Sequence, residues 1–206
     1  MVPAAVLAAA LYAGLWIGVA AHWPWLTAVD TVTLHRFHDF GINHPAWIDA
    51  WRVPSEVFGP SVLRVVGVLV IVVALLRRQF RIAGFVAMTV LPAGLLTASA
   101  KALSDRPRPE TALIEAASSS FPSGHALGIM VGVLVLGTLL WERVAPAMRV
   151  PMIAVGAALV FTVGLSRVVL NVHHPSDVVA GWALGLLFYL VCLVLVPPRV
   201  APFSAF

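Results

Sequence analysis

Charge is scarce in this sequence. Lysine, arginine, aspartate and glutamate make up 11% of the 206 residues, whereas 61% are hydrophobic. That balance excludes ordinary soluble globular usage and points to a membrane protein of one domain, 1–206. Cysteine is nearly absent. Cys192 stands alone, which excludes an intrachain disulfide, and its place in an apolar run makes it a small buried hydrophobe rather than a reactive thiol. There is no internal repeat and no low-complexity tail. No basic stretch precedes the apolar residues 2–21, so they read as a retained first helix rather than a cleaved signal. No acidic cluster has metal-binding spacing, so neither a metal nor another cofactor is expected.

What the chain has instead is long apolar runs. Six of them, near 3–21, 60–76, 82–100, 123–141, 150–165 and 176–196, have the length a helix needs to cross the hydrocarbon layer. The expected fold is all-α, a six-span transmembrane bundle. Pro92 and Gly94 in the third run predict a kink. Arg77, Arg78 and Arg81, then Arg143 and Arg149, then Arg199 mark alternate connections, which the positive-inside rule places in the cytoplasm. The connections 22–59, 101–122 and 171–175 then face outward. The first of these holds Trp23, Trp25, Trp47 and Trp51, as an amphipathic extracytoplasmic segment lying on the membrane would. Its His35, His38 and His44 lack a tight ligand pattern and read as interfacial, and Asp30, Asp39 and Asp49 as solvating the segment or pairing with its arginines.

Three polar clusters fall on the same end of this layout. The run KALSDRPRP, 101–109, holds Lys101, Arg106 and Arg108; alone, it says no more than contact with lipid headgroups. Arg106 reaches either the same anion or Asp105. PSGH, 122–125, opens a helix. Ser123 caps it, Gly124 lets an anion approach the backbone, and His125 stands in the first turn. A plain cap beside an interfacial histidine fits those four residues as well. SRVVLNVHHPSD, 166–177, carries Arg167, His173, His174 and Asp177. Pro175 marks a helix start, and Asp177 lies four residues from His173 and three from His174, so either imidazole can meet the carboxylate. A charge at mid-membrane costs about 2.5–3.5 kcal/mol, a cost that span ends largely avoid.

Together the clusters supply the parts of a phosphoryl transfer. Lys101, Arg108 and Arg167 neutralise non-bridging oxygens, and amides around Ser123 and Gly124 donate to them. A histidine attacks phosphorus with Asp177 orienting it, and His125 moves the proton. The three cations take the place of a divalent ion.

These residues, spaced K-x6-R-P, P-S-G-H and S-R-x5-H-x3-D, resemble the three-part signature of the type 2 phosphatidic acid phosphatase superfamily, membrane branch. The resemblance covers the last half of the chain and favours His173 over His174 as nucleophile. It implies a metal-independent phosphatase that forms a phosphohistidine. His125, His173 and Asp177 would carry the chemistry, while Lys101, Arg108, Ser123, Gly124 and Arg167 hold the phosphate. The implied partners are the bilayer and a lipid phosphate or diphosphate of polyprenyl (such as undecaprenyl), phosphatidylglycerophosphate or phosphatidate type. No nucleic acid is expected. The expected location is a bacterial plasma membrane with the site outward, and substrate choice is assigned to 22–59. A phosphotransferase, or a transporter of a phosphorylated lipid, would use similar residues.

Overall fold

The computed structural model describes residues 1–198, which are all-helical apart from turns and loops. Arg199, one of the expected cytoplasmic cations, lies outside the described residues. Among those described there are nine helices: α1 (Val2–Ala20), α2 (Pro24–Ile42), α3 (Pro45–Val57), α4 (Pro60–Leu76), α5 (Phe80–Val90), α6 (Ala93–Ser104), α7 (Gly124–Leu140), α8 (Pro146–Val169) and α9 (Pro175–Leu195). Proline is the first residue of α2, α3, α4, α8 and α9. There its fixed φ suits the helix and its missing N–H costs no bond.

Five helical segments are long and apolar enough to cross a membrane: Val2–Ala20, Pro45–Leu76, Phe80–Ser104, Pro146–Val169 and Pro175–Leu195. The protein is an integral membrane protein. The third expected span is interrupted where foreseen, with α5 ending at Val90 and Pro92 capping α6. Gly124–Leu140 is apolar but has 17 residues, about 25 Å of helix at 1.5 Å per residue, short of a hydrocarbon core of about 30 Å.

The centre of the bundle is the pair α7 and α9, with α1, α4, α5 and α8 around it. Leu127, Val131, Val135 and Leu139 line one side of α7 and join Phe85 and Val86 of α5 and Leu184, Tyr189 and Leu190 of α9 in the main core. Glycine lets the central pair close at the end that carries the polar clusters. A Cβ on Gly181 would lie 2.5 Å from the Ser123 carbonyl oxygen, and one on Gly185 would lie 2.9 Å from that of Leu127. Only hydrogen fits there.

The two helices of 22–59 pack on the bundle, α2 against α8 and α9 and α3 against α8. Leu34 of α2 meets Ala126, Val168 and Val178 in a second apolar cluster directly behind the polar end. The arginine-rich turns sit at the opposite end. Arg149 there lies over the Trp141 ring, 4.8 Å from its centroid.

Candidate active site

Alternating helix direction brings the end of α6, the start of α7, the end of α8 and the start of α9 to one end of the bundle. Six of the eight expected site residues, Lys101, Arg108, Gly124, His125, Arg167 and His173, line a single cavity of about 560 Å³. The other two, Ser123 and Asp177, are fully buried immediately behind it.

His173 is held from both sides. Its main-chain N–H donates to the Arg167 carbonyl, 3.2 Å away, in the turn that ends α8. Asn171 takes the left-handed conformation in that turn, φ 53°, which asparagine tolerates better than most residues. Its side chain donates to the Leu34 carbonyl at 3.0 Å. The His173 ring is 2% exposed. Nδ1 lies 3.5 Å from Asp177 Oδ2, the outer limit of a hydrogen bond, and has no nearer partner among the described residues. Nε2 lies 3.4 Å from an Arg108 guanidinium nitrogen. Guanidinium only donates, and carboxylate only accepts. The consistent tautomer therefore carries its proton on Nδ1 and turns the Nε2 lone pair to the cationic cavity. Burial outweighs the opposing Asp177 and pushes the His173 pKa down to about 4, so the ring is neutral at neutral pH.

Asp177 is anchored by more than this histidine. Its Oδ2 accepts from the His174 main-chain N–H at 2.8 Å and lies 3.2 Å from His174 Nδ1. His174 is the N-cap of α9, in a reciprocal capping pair with Asp177, and does not line the cavity. Oδ1 accepts from Arg106 at 2.6 Å. Arg106 therefore does not pair with Asp105, which ends α6 in the left-handed conformation. Its other guanidinium nitrogen donates to Asp30 of α2 at 2.8 Å. Asp30 is 1% exposed. The expectation that it solvates the 22–59 segment is thus corrected; a carboxylate cannot be sealed from water without partners, and Asp30 has three donors.

The cations are already engaged with protein oxygens. Arg108 donates to the carbonyls of Ala117 (2.8 Å), Ser118 (3.0 Å) and Val172 (2.6 Å), and Lys101 donates to that of Ser119. Burial holds the Arg108 guanidinium below its usual range. Arg167 donates to Ser55 of α3, and its buried Nε has no partner among the described residues.

Ser123 caps α7 through a long contact, 3.5 Å from the Ala126 N–H. Its own amide donates to the Asp177 carbonyl at 2.9 Å and so is spent on joining α7 to α9. The amides of Gly124 and His125 have no intramolecular acceptor among the described residues and are the ones left for an anion. Sequence reasoning missed Asp30, Ser55 and Ser176. The signal for Asp30 was its spacing of four from both Leu26 and Leu34, which puts a carboxylate inside a buried apolar stripe.

Comparison with known proteins gives the geometry a family. Residues 81–201 match the model of the PAP2 superfamily. Phosphatidylglycerophosphatase B of Bacillus subtilis is 38% identical over 92 residues, 42% of this chain and 45% of that protein. Decaprenylphosphoryl-5-phosphoribose phosphatase of Mycobacterium tuberculosis is 33% identical over 114 residues, 53% of this chain and 56% of that protein. The matches thus span about half the length of these relatives. The crystal structure of a transmembrane PAP2-type phosphatidylglycerolphosphate phosphatase from Bacillus subtilis shares the fold, with a TM-score of 0.76 and 24% identity over 91% of this chain and 94% of that one. With the family model matching more than half of its length, the chain belongs to the PAP2 superfamily.

Proposed function

We propose that this protein removes phosphate from a lipid phosphate through a phosphohistidine on His173. The observation that carries the reading is the placement of His173: Nδ1 toward Asp177, Nε2 toward a cavity ringed by Lys101, Arg108 and Arg167. In the first step Nε2 bonds to phosphorus as the bond from phosphorus to the lipid oxygen breaks. His125, charged once the phosphate dianion lies beside it, gives that oxygen its proton. The ring becomes cationic, and Asp177 stabilises it across Nδ1–H. In the second step His125 takes a proton from water, whose oxygen bonds to phosphorus as the phosphorus–Nε2 bond breaks. Inorganic phosphate leaves and His173 is neutral again. Charge on the equatorial oxygens is met by the three cations and by the amides of Gly124 and His125.

An apolar groove supports a lipid substrate. It has a volume of about 510 Å³ and runs between α4, α6 and α7, sharing Pro60, Lys101, Ser118 and Gly124 with the cationic cavity. Gly128 and Gly132 form part of its wall, spaced four and eight from Gly124. A headgroup in the cavity would leave its tail in this groove, at bilayer depth. The two relatives' names make phosphatidylglycerophosphate and decaprenylphosphoryl-5-phosphoribose the first compounds to try, followed by phosphatidate and polyprenyl diphosphates. We place the site on the outer face of a six-span bundle in a bacterial plasma membrane, because the arginine-rich turns lie at the other end.

Transport is the weaker reading. Of the buried polar side chains among the described residues, all but Thr89 and Tyr189 gather at the site end; Thr89 is spent on the Phe85 carbonyl at 2.7 Å and the Tyr189 hydroxyl on Thr138. A path would need them along the spans.

The test is phosphate release from that panel by purified protein in excess chelator. His173→Ala and His125→Ala are each expected to abolish release with the fold intact. Full turnover in His173→Ala would refute the mechanism, and loss of wild-type activity under chelation would point to a metal instead. Transfer of phosphate to an added alcohol rather than to water would reassign the protein as a phosphotransferase.

A further inference from the structure

Residues 22–59 carry no motif and lie outside the matched region, 81–201, yet they place Asp30 against the heart of the site. Asp30 Oδ1 accepts from the Ser176 main-chain N–H at 3.0 Å, and Oδ2 accepts from the Ser176 hydroxyl at 2.6 Å and from Arg106 at 2.8 Å. Arg106 donates from its other nitrogen to the Ser176 hydroxyl at 2.8 Å and to Asp177 Oδ1 at 2.6 Å. Asp30 thus satisfies a first-turn amide of α9, where the helix dipole also favours a carboxylate. Arg106 then bridges it to Asp177.

We infer that Asp30, acting through Arg106, is a positioning residue for Asp177 that sets the net charge of the cluster beside His173 as well as the place of Asp177. Two carboxylates share one guanidinium, so the cluster keeps one net negative charge. That charge is the complement of the imidazolium that forms when His173 carries phosphorus. Were Arg106 paired with Asp177 alone, the pair would be neutral and the phosphohistidine less stabilised. The inference rests on the phosphatase reading above, but it concerns a residue that the family signature does not contain.

Other charged and titratable groups also face His173 and Asp177, and none of them is changed in these variants. They are Lys101 of α6, His125 of α7, Arg167 of α8, Arg108 of the connecting loop and His174 of the same turn, with exposed Arg52, Glu56 and Glu115 on the cavity wall. A negative charge nearby favours protonated histidine. Removing one, in Asp30→Asn, should move the acidic limb of kcat/KM to lower pH by roughly half a unit or more. Removing the positive charge, in Arg106→Gln, should move it to higher pH. The double variant restores one net negative charge and should return the limb toward its wild-type position.

The experiment measures these profiles on the full chain in detergent with a long-chain lipid phosphate. Asp30→Asn should lower kcat about tenfold or more with little change in KM. Ser176→Ala, which changes no charge, should leave the limb unmoved. Where a variant turns over too slowly, NMR titration of the His173 ring gives the same shift. If one single variant does not fold, the sign of the shift in the other still decides, and a displaced limb in Asp30→Glu or in the double variant would also count against the inference. Shifts of one sign in both single variants, or no shift in either, would overturn the inference. Active His173→Ala would instead overturn the phosphatase reading itself.

Discussion

Gly181 offers a direct test of the idea that helix contact, and not the motif residues alone, assembles this site. A Cβ there would sit 2.5 Å from the Ser123 carbonyl oxygen, 2.9 Å from the Ala126 Cβ and 3.2 Å from the Leu127 nitrogen. Ordinary contact begins near 3.4 Å, so Gly181→Ala needs roughly 0.9 Å of retreat. Two of the three obstacles are backbone atoms, which cannot swing aside as a side chain does. Overpacking of this kind costs about 1–3 kcal/mol. For a chain of this size that lowers Tm by about 2–4 °C per kcal/mol. The functional effect should exceed the stability effect. Asp177 lies one turn before Gly181 on α9, and its carbonyl accepts from the Ser123 amide, so the retreat carries Asp177 away from the His125 side of the cavity. A misplacement of about 1 Å can cost about a hundredfold in turnover. The assay is thermal unfolding and phosphate release in one detergent, with Gly137→Ala as control, since a Cβ there meets nothing within 4 Å. Wild-type kcat in a folded Gly181→Ala would refute the reasoning.

Three further outcomes are expected. With His173 held at about 4, below the ordinary 6.5, kcat/KM should fall only as pH drops through about 4, and an acidic limb at 6.5 would contradict the burial argument. Across the same window the unfolded chain takes up a proton that the folded ring refuses, so stability should rise with pH between about 4 and 6.5, as pH-dependent Tm can show. Gly128→Val should block the apolar groove, cutting turnover of a long-chain lipid phosphate about tenfold or more while sparing a short soluble phosphate ester; equal losses on both would place the tail elsewhere. Arg167→Lys keeps the charge but loses the planar fork that reaches both Ser55 and an anion. It should raise KM and lower kcat, roughly tenfold or more together, and unchanged kinetics would remove Arg167 from the phosphate site.

Much of this molecule was readable from its residues because the relevant signals are local. Proline openings, the break at Pro92 and the long apolar runs all act within one helix, and each of the three polar clusters is a contiguous stretch. Their convergence at one end followed from alternating helix direction. What escaped was set by distance along the chain. Asp30 reaches Ser176 across 146 positions, and Arg167 reaches Ser55 across 112; no window of sequence contains either pair. Arg106 had an acidic neighbour in Asp105 and was offered that partner, but the left-handed turn at Asp105 sends the two side chains apart. The amide of Ser123 read as free for an anion, because nothing nearby in sequence announces that the Asp177 carbonyl would claim it.

The Ala117, Ser118 and Ser119 carbonyls have a consequence for how any anion enters. Arg108 and Lys101 are half-buried and already bonded to peptide oxygens. An arriving anion must trade places with them, so its gain is the difference between two sets of bonds rather than the whole of one. The site should therefore favour a doubly charged phosphate over a singly charged halide, whose weaker Coulomb attraction repays less of that exchange.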